Sequence, residues 1–121
     1  MMASDAQHLM TTARFAGRVI VRAGGETVAD SRDAIVLHEG SYDPVYYIPR
    51  ADIRMDLLEP TEHTTRCPHK GTARYWTIKA GGRSIDNAAW AYDAPLEAAA
   101  DIAQRVAFYP DRVDAIEATG L

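Results

Sequence analysis

Ala73-Arg74-Tyr75-Trp76-Thr77-Ile78-Lys79, followed by Ala80-Gly81-Gly82, is the stretch from which the architecture of this chain is read. Ala73, Tyr75, Thr77 and Lys79 fall on one face and Arg74, Trp76 and Ile78 on the other, which is the period of a strand and not of a helix. Aromatic and β-branched side chains favour that pleated surface. Gly81-Gly82 then reverses the chain, because a primed two-residue turn needs positive φ and glycine supplies it without a Cβ clash. Ser84-Ile85 and Ala88-Ala89-Trp90-Ala91-Tyr92 provide the returning strand.

Upstream, Arg22-Ala23-Gly24-Gly25-Glu26-Thr27-Val28 matches Lys79-Ala80-Gly81-Gly82-Arg83-Ser84-Ile85 in character. This is read as two hairpins using one grammar, since a solenoid repeat would recur more often and at a shorter period. Val19 and Val21 alternate with Arg18, Ile20 and Arg22 ahead of the first Gly-Gly turn. Ala34-Ile35-Val36-Leu37 reads as a buried strand, Val45-Tyr46-Tyr47-Ile48 as a strand stopped by Pro49, and Ile53, Met55 and Leu57 as another, alternating with Arg54, Asp56 and Leu58. Glu59-Pro60-Thr61-Glu62-His63 is expected to break the pattern. Residues 93–103, with Pro95 at the entry and alanines inside, predict one short helix. Val106-Ala107-Phe108-Tyr109 and Val113-Asp114-Ala115-Ile116, joined by a Pro110-Asp111 turn, predict a closing strand pair. The fold class is therefore mainly β: a single small domain, a curled antiparallel sheet, barrel-like or tent-like, of about eight short strands with one short helix near the C-terminus.

The chain has 121 residues, which suits one domain, read as 15–121 behind a flexible leader at 1–14. A net charge of −4 disfavours binding to a phosphate backbone, so no nucleic-acid partner is expected. No apolar run resembles a signal peptide or approaches the roughly 20 residues of a spanning helix, so no membrane partner is expected either. With one cysteine no internal disulfide forms, and the reducing cytoplasm is the expected location. Nothing in the pattern identifies a cofactor, and a homo-oligomer stays open.

The chemistry concentrates in Thr65-Arg66-Cys67-Pro68-His69-Lys70-Gly71. A thiol reacts as thiolate, a form favoured by a nearby ammonium, and a bent loop holding Cys67 beside Lys70 would make a nucleophile or an anion-contacting site. The competing reading is a packed cysteine in a turn with an exposed lysine. His63, Cys67 and His69, with Glu62, are the conceivable metal ligands, but structural zinc usually uses paired cysteine knuckles, so no metal site is expected. Asp56 and Glu39 are the acid/base candidates, with Cys67 and Lys70 as their catalytic companions. Arg54, Thr65, Gly71, Tyr46, Trp90 and Tyr92 are the expected ligand contacts. No Walker-type loop, dinucleotide fingerprint or G-x-S-x-G elbow is present.

Several ordered motifs extend this reading. Val45-Tyr46-Tyr47-Ile48-Pro49-Arg50, Asp52-Ile53-Arg54-Met55-Asp56-Leu57-Leu58-Glu59-Pro60, Thr65-x-Cys67-Pro68-x-Lys70-Gly71-x-Ala73-x-Tyr75-Trp76, Ala88-Ala89-Trp90-x-Tyr92 and Val106-Ala107-Phe108-Tyr109-Pro110 together resemble the domain of unknown function 427 family, over nearly all of residues 17–114. The resemblance implies a small, mostly-β domain related to tent-like zinc-binding folds and carries a nucleotidyltransferase-like label. Its pattern falls on Glu39, Tyr46, Asp52, Asp56, Thr65, Cys67, Lys70, Gly71, Trp90 and Tyr92, whereas His69 stands where relatives often have an aromatic.

Three function classes follow. The first is a pocket for a polar or anionic small molecule bordered by residues 67–71, with Lys70 and Arg54 supplying positive charge and Cys67 as the nucleophile of a thiol-dependent reaction. The second is a non-catalytic protein-interaction module in which Cys67 only packs. The third, nucleotidyl transfer, needs carboxylates close together for Mg²⁺, and Asp52 and Asp56 would lie about 13 Å apart on a strand.

Overall fold

In the computed structural model, which describes residues 9–120, the alternating stretch lies within β7 (Gly71–Ala80), a strand with apolar neighbours on both faces. It pairs antiparallel with β6 (Leu58–Cys67) and with β8 (Arg83–Ala91), and β8 pairs with β9 (Val106–Phe108). Alternation along β7 sends Trp76 and Ile78 into one apolar cluster and Ala73 and Tyr75 into another. This four-stranded sheet thus separates two cores.

A second sheet covers the Trp76 side. It consists of β2 (Gly17–Ala23), β3 (Glu26–Ser31) and β10 (Ala115–Gly120), in the order β10-β2-β3. Val19, Val21 and Val28 are fully buried there against Trp76, Ile78 and Phe108, each such burial contributing about 1.5–3 kcal/mol. The third sheet, β1 (Met10–Arg14), β4 (Ile35–Glu39) and β5 (Val45–Tyr47), covers the Tyr75 side with Leu37 and Tyr47. Just beyond β5, Ile48 and Val106 exchange two backbone hydrogen bonds of 2.9 Å, fastening the third sheet to β9.

The two Gly-Gly turns meet. Gly24 and Gly25 have φ of +58° and +78°, and Gly81 and Gly82 of +59° and +75°, so each pair forms a primed turn. The turns pack against each other so tightly that a Cβ on Gly24 would lie 2.2 Å from the Ala80 carbonyl oxygen, and one on Gly81 1.9 Å from that of Gly24. The Gly81 N–H also donates to Glu26 at 2.9 Å, and the Gly25 N–H to Asp114 at 3.0 Å. The echo noted in the sequence is therefore a contact in space.

The mainly-β, antiparallel, one-domain reading holds, with corrections. Among the described residues there are ten strands in three sheets and no closed barrel. Residues 50–57 form two 3₁₀ turns, Arg50–Asp52 and Met55–Leu57, and not a strand. Local bonds from Asp52 N–H to the Pro49 carbonyl (3.0 Å) and from Leu57 N–H to the Arg54 carbonyl (2.9 Å) take the place of a continuous ladder, leaving one isolated bridge between Ile53 and Ala29. Residues 59–63 continue β6 as an exposed edge with an irregularity between Pro60 and Thr64, which is where a strand tolerates proline.

The expected helix is only a 3₁₀ segment, Glu97–Ile102, kinked at Ala99 and lacking a side-chain cap. The two closing strands do not pair. A turn in which Arg112 and Val113 N–H groups donate to the Tyr109 carbonyl sends β9 and β10 to different sheets. Of the segment expected as a leader, Met10–Arg14 is β1, paired with β4, and residues 1–8 lie outside the described residues. No helix among the described residues is long and apolar enough to cross a membrane.

Candidate functional site

Between the third sheet and the four-stranded sheet lies a cavity of about 470 Å³, within the usual range for small-ligand sites. From β4 and β5 it receives Leu37, Glu39, Val45 and Tyr47, and from the other sheet Thr65, Tyr75 and Trp90, with Tyr92 and Tyr109 just beyond strand ends. Tyr42 and Asp43 stand exposed at its rim. Lys70 enters from the β6–β7 turn, whose geometry follows from the sequence. Cys67 pairs with Gly71, the Lys70 N–H donates to the Cys67 carbonyl at 3.3 Å, and Gly71 takes a φ of +111° that a residue with a Cβ would resist. The Leu96 N–H donates to the Lys70 carbonyl at 2.9 Å and holds the turn from behind.

The charged centre of the cavity is a pair. Lys70 Nζ donates to Glu39 Oε1 at 2.8 Å, with only 12% and 15% of the two side chains exposed. A wall of rings faces them. Trp90 lies 4.4 Å from Tyr109, centroid to centroid, and edge-on to Tyr47 at 6.3 Å, while Tyr75 stacks with Tyr109 at 6.4 Å. The Tyr75 hydroxyl is 2.9 Å from the Thr65 hydroxyl and 3.2 Å from that of Tyr109, forming a three-hydroxyl chain.

Burial keeps these phenols neutral. It is the main cause that pushes Tyr47 and Tyr92 well above the ordinary tyrosine range, reinforced at Tyr47 by Cys67 and Glu39 and opposed by a hydrogen bond from Trp90. Tyr109 is pushed up to about 12, by burial first and then by its hydrogen bond with Tyr75, with Arg112 opposing.

Of the residues expected from sequence, Glu39, Lys70, Thr65, Trp90 and Tyr92 come together around this cavity, and Gly71 shapes the turn that presents Lys70. Cys67 is half-buried and packs in the Tyr75 cluster beside the cavity, and the nearby ammonium is engaged by Glu39. Arg54 and Asp56 lie elsewhere. They form an exposed pair with contacts of 2.9 and 3.0 Å, and Arg54 borders a separate depression with Asp30 and Asp52. The guanidinium of Arg54, through that hydrogen bond, holds the Asp56 carboxyl below its usual range.

Tyr46 faces the other core, edge-on to Phe15 at 5.1 Å, and lines a smaller apolar cavity of about 290 Å³. Asp52 accepts a 2.6 Å hydrogen bond from Ser31, while Asp56 is paired with Arg54. His63 packs its ring on Tyr75 at 4.6 Å, and among the described residues no three His, Cys, Asp or Glu side chains gather as a metal site.

The sequence reading missed Tyr47, Tyr75, Tyr109, Tyr42 and Asp43. A signal for Tyr47 was present. In an antiparallel pair, directly opposed residues share a face, and Ile35 opposes Tyr47 while sharing the face of Leu37 and Glu39 on β4. Tyr47, rather than Tyr46, therefore belongs beside Glu39.

No curated protein matches the chain. The family model described as domain of unknown function (DUF427) matches residues 11–119, almost the whole described fold. With the cavity, its ion pair and the ordered motifs that build them all inside that span, the chain belongs to the DUF427 family.

Proposed function

We propose that this protein is a small-molecule binding domain whose ligand occupies the cavity between the third sheet and the four-stranded sheet. The observation that carries the reading is the Glu39–Lys70 pair, two oppositely charged groups held at 2.8 Å on the floor of a ring-lined hollow. Sites that bind small molecules have this composition, with largely apolar walls and a few fixed polar groups that orient the ligand. A non-catalytic role fits best, because Cys67 packs in the apolar cluster and Asp56 is tied to Arg54 on an exposed surface. In the reducing cytoplasm expected from the sequence, Cys67 remains a thiol with a packing role.

The test is a fragment library followed by ¹H–¹⁵N correlation spectra of the full chain. Hits are expected to perturb Glu39, Lys70, the Trp90 indole and Tyr109 together. Perturbations gathered instead on residues 51–56 would favour the depression beside Arg54, and an absence of hits at the cavity would end the binding reading.

A further inference from the structure

The expectation of an anionic ligand drew on Arg54 and Lys70 as positive groups, and the charge actually present at the cavity runs the other way. Arg54 belongs to another surface, and Lys70 is neutralised by Glu39. That leaves Asp43 at the rim, with no salt-bridge partner among the described residues. Glu39 uses Oε1 for Lys70. The charged side chains that line the cavity, Glu39, Asp43 and Lys70, sum to one negative, with the Arg112 guanidinium outside that lining over Tyr109.

The walls add to that sign. The ring faces of Trp90, Tyr75 and Tyr47 carry the negative side of the aromatic quadrupole, which attracts a cation most strongly where water is excluded, whereas Tyr109 already has the Arg112 guanidinium 5.1 Å from its ring centroid. Tyr47 and Tyr75 are almost wholly buried, so the wall is fixed before a ligand arrives. A compact, strongly hydrated cation would lose too much solvation on such a surface. An alkylated ammonium, already weakly hydrated and apolar at its rim, loses little.

We infer that the cavity selects a small molecule bearing an alkylated ammonium group, seated against the Trp90 ring with its charge balanced by Asp43 at the rim. This rests on the reading of the cavity as a ligand site and narrows its ligand class. Recognition is by non-covalent contact, so no reaction step is required.

The experiment compares choline and tetramethylammonium with 3,3-dimethylbutan-1-ol, the neutral isostere of choline, and with acetate and phosphate. Binding is read by titration calorimetry and by the Trp90 indole resonance of the full chain. Both cations are expected to shift that resonance, with choline binding about tenfold more tightly than its neutral isostere. Asp43→Asn, at an exposed position where folding is not at stake, is expected to weaken choline several-fold and leave the isostere unchanged. Trp90→Phe, which keeps a ring, is expected to weaken choline less than Trp90→Leu.

Equal affinity for choline and its isostere, or tighter binding of acetate or phosphate at the same resonance, would overturn the cation assignment while leaving the cavity a binding site. If none of the probes or library fragments moves cavity resonances, both readings fall.

Discussion

Lys70 Nζ lies 2.8 Å from Glu39 Oε1, joining the turn between β6 and β7 to the end of β4, and little of either side chain reaches solvent. Removing one member leaves the other charged and poorly solvated. Lys70→Met and Glu39→Gln are each expected to destabilise the fold by about 2 kcal/mol, with the double variant losing clearly less than the sum. Urea titrations of the four proteins check this, and strict additivity would show the pair to be uncoupled. Arg54→Ala and Asp56→Ala, which dissolve a pair more than half exposed on both sides, are expected to leave the urea midpoint where it was.

The four turn glycines divide by what surrounds them. Gly25 and Gly82 have positive φ but open space around a would-be Cβ, so alanine there is expected to cost about 1 kcal/mol for the left-handed backbone alone. At Gly24 and Gly81 the same change drives a methyl into backbone of the opposing turn, and the cost is expected to be about 3 kcal/mol or more. Thermal melts of the four single variants test the ranking, and equal losses at all four would refute the turn-to-turn contact.

Alkali should unfold the protein through its tyrosines. Tyr47, Tyr92 and Tyr109 have pKa values in the fold above the ordinary value of about 10, with Tyr109 at about 12. The fold therefore holds these protons more tightly than the unfolded chain does. Their contribution is complete below about pH 10 and is lost as pH rises towards the folded values. Tyrosinate absorbance and circular dichroism followed together should show a late ionisation step that coincides with loss of structure. Three tyrosines ionising well before unfolding would contradict the burial described here.

Cys67 is expected to behave as a packing residue. Cys67→Ala should lower stability by about 1 kcal/mol and leave the cavity resonances and probe affinities unchanged. Loss of probe binding in a folded Cys67→Ala protein would return the thiol to the centre of the site.

How much of this was legible in the sequence varied with the kind of signal. Period-two alternation and the Gly-Gly turns were enough for β2, β3, β7 and β8, because both act within a few residues. Residues 50–57 misled for a local reason: their alternating apolar positions fit a strand, and the 3₁₀ bonds that follow Pro49 are invisible to a pattern of hydrophobicity. The partner of β10 could not be read at all, since strand pairing between distant segments is decided by which faces need covering. At the site, the motif residues Glu39, Lys70, Thr65, Trp90 and Tyr92 converge, whereas Arg54 and Asp56 share the same motif block yet lie on another surface. Their order along the chain carried no information about depth. The rings of Tyr75 and Tyr109 were not among the expected ligand contacts; they pack in one apolar cluster and also form the cavity wall.

The two hydrogen bonds between Ile48 and Val106 limit how the third sheet and the four-stranded sheet can move against each other. They rivet the end of β5 to β9, so the two sheets cannot part there like jaws without breaking both bonds. Residues 40–44, between β4 and β5, carry the exposed Tyr42 and Asp43 at the rim of the cavity. On the proposed reading of the cavity, a ligand would pass that short loop and leave the seam between β5 and β9 intact.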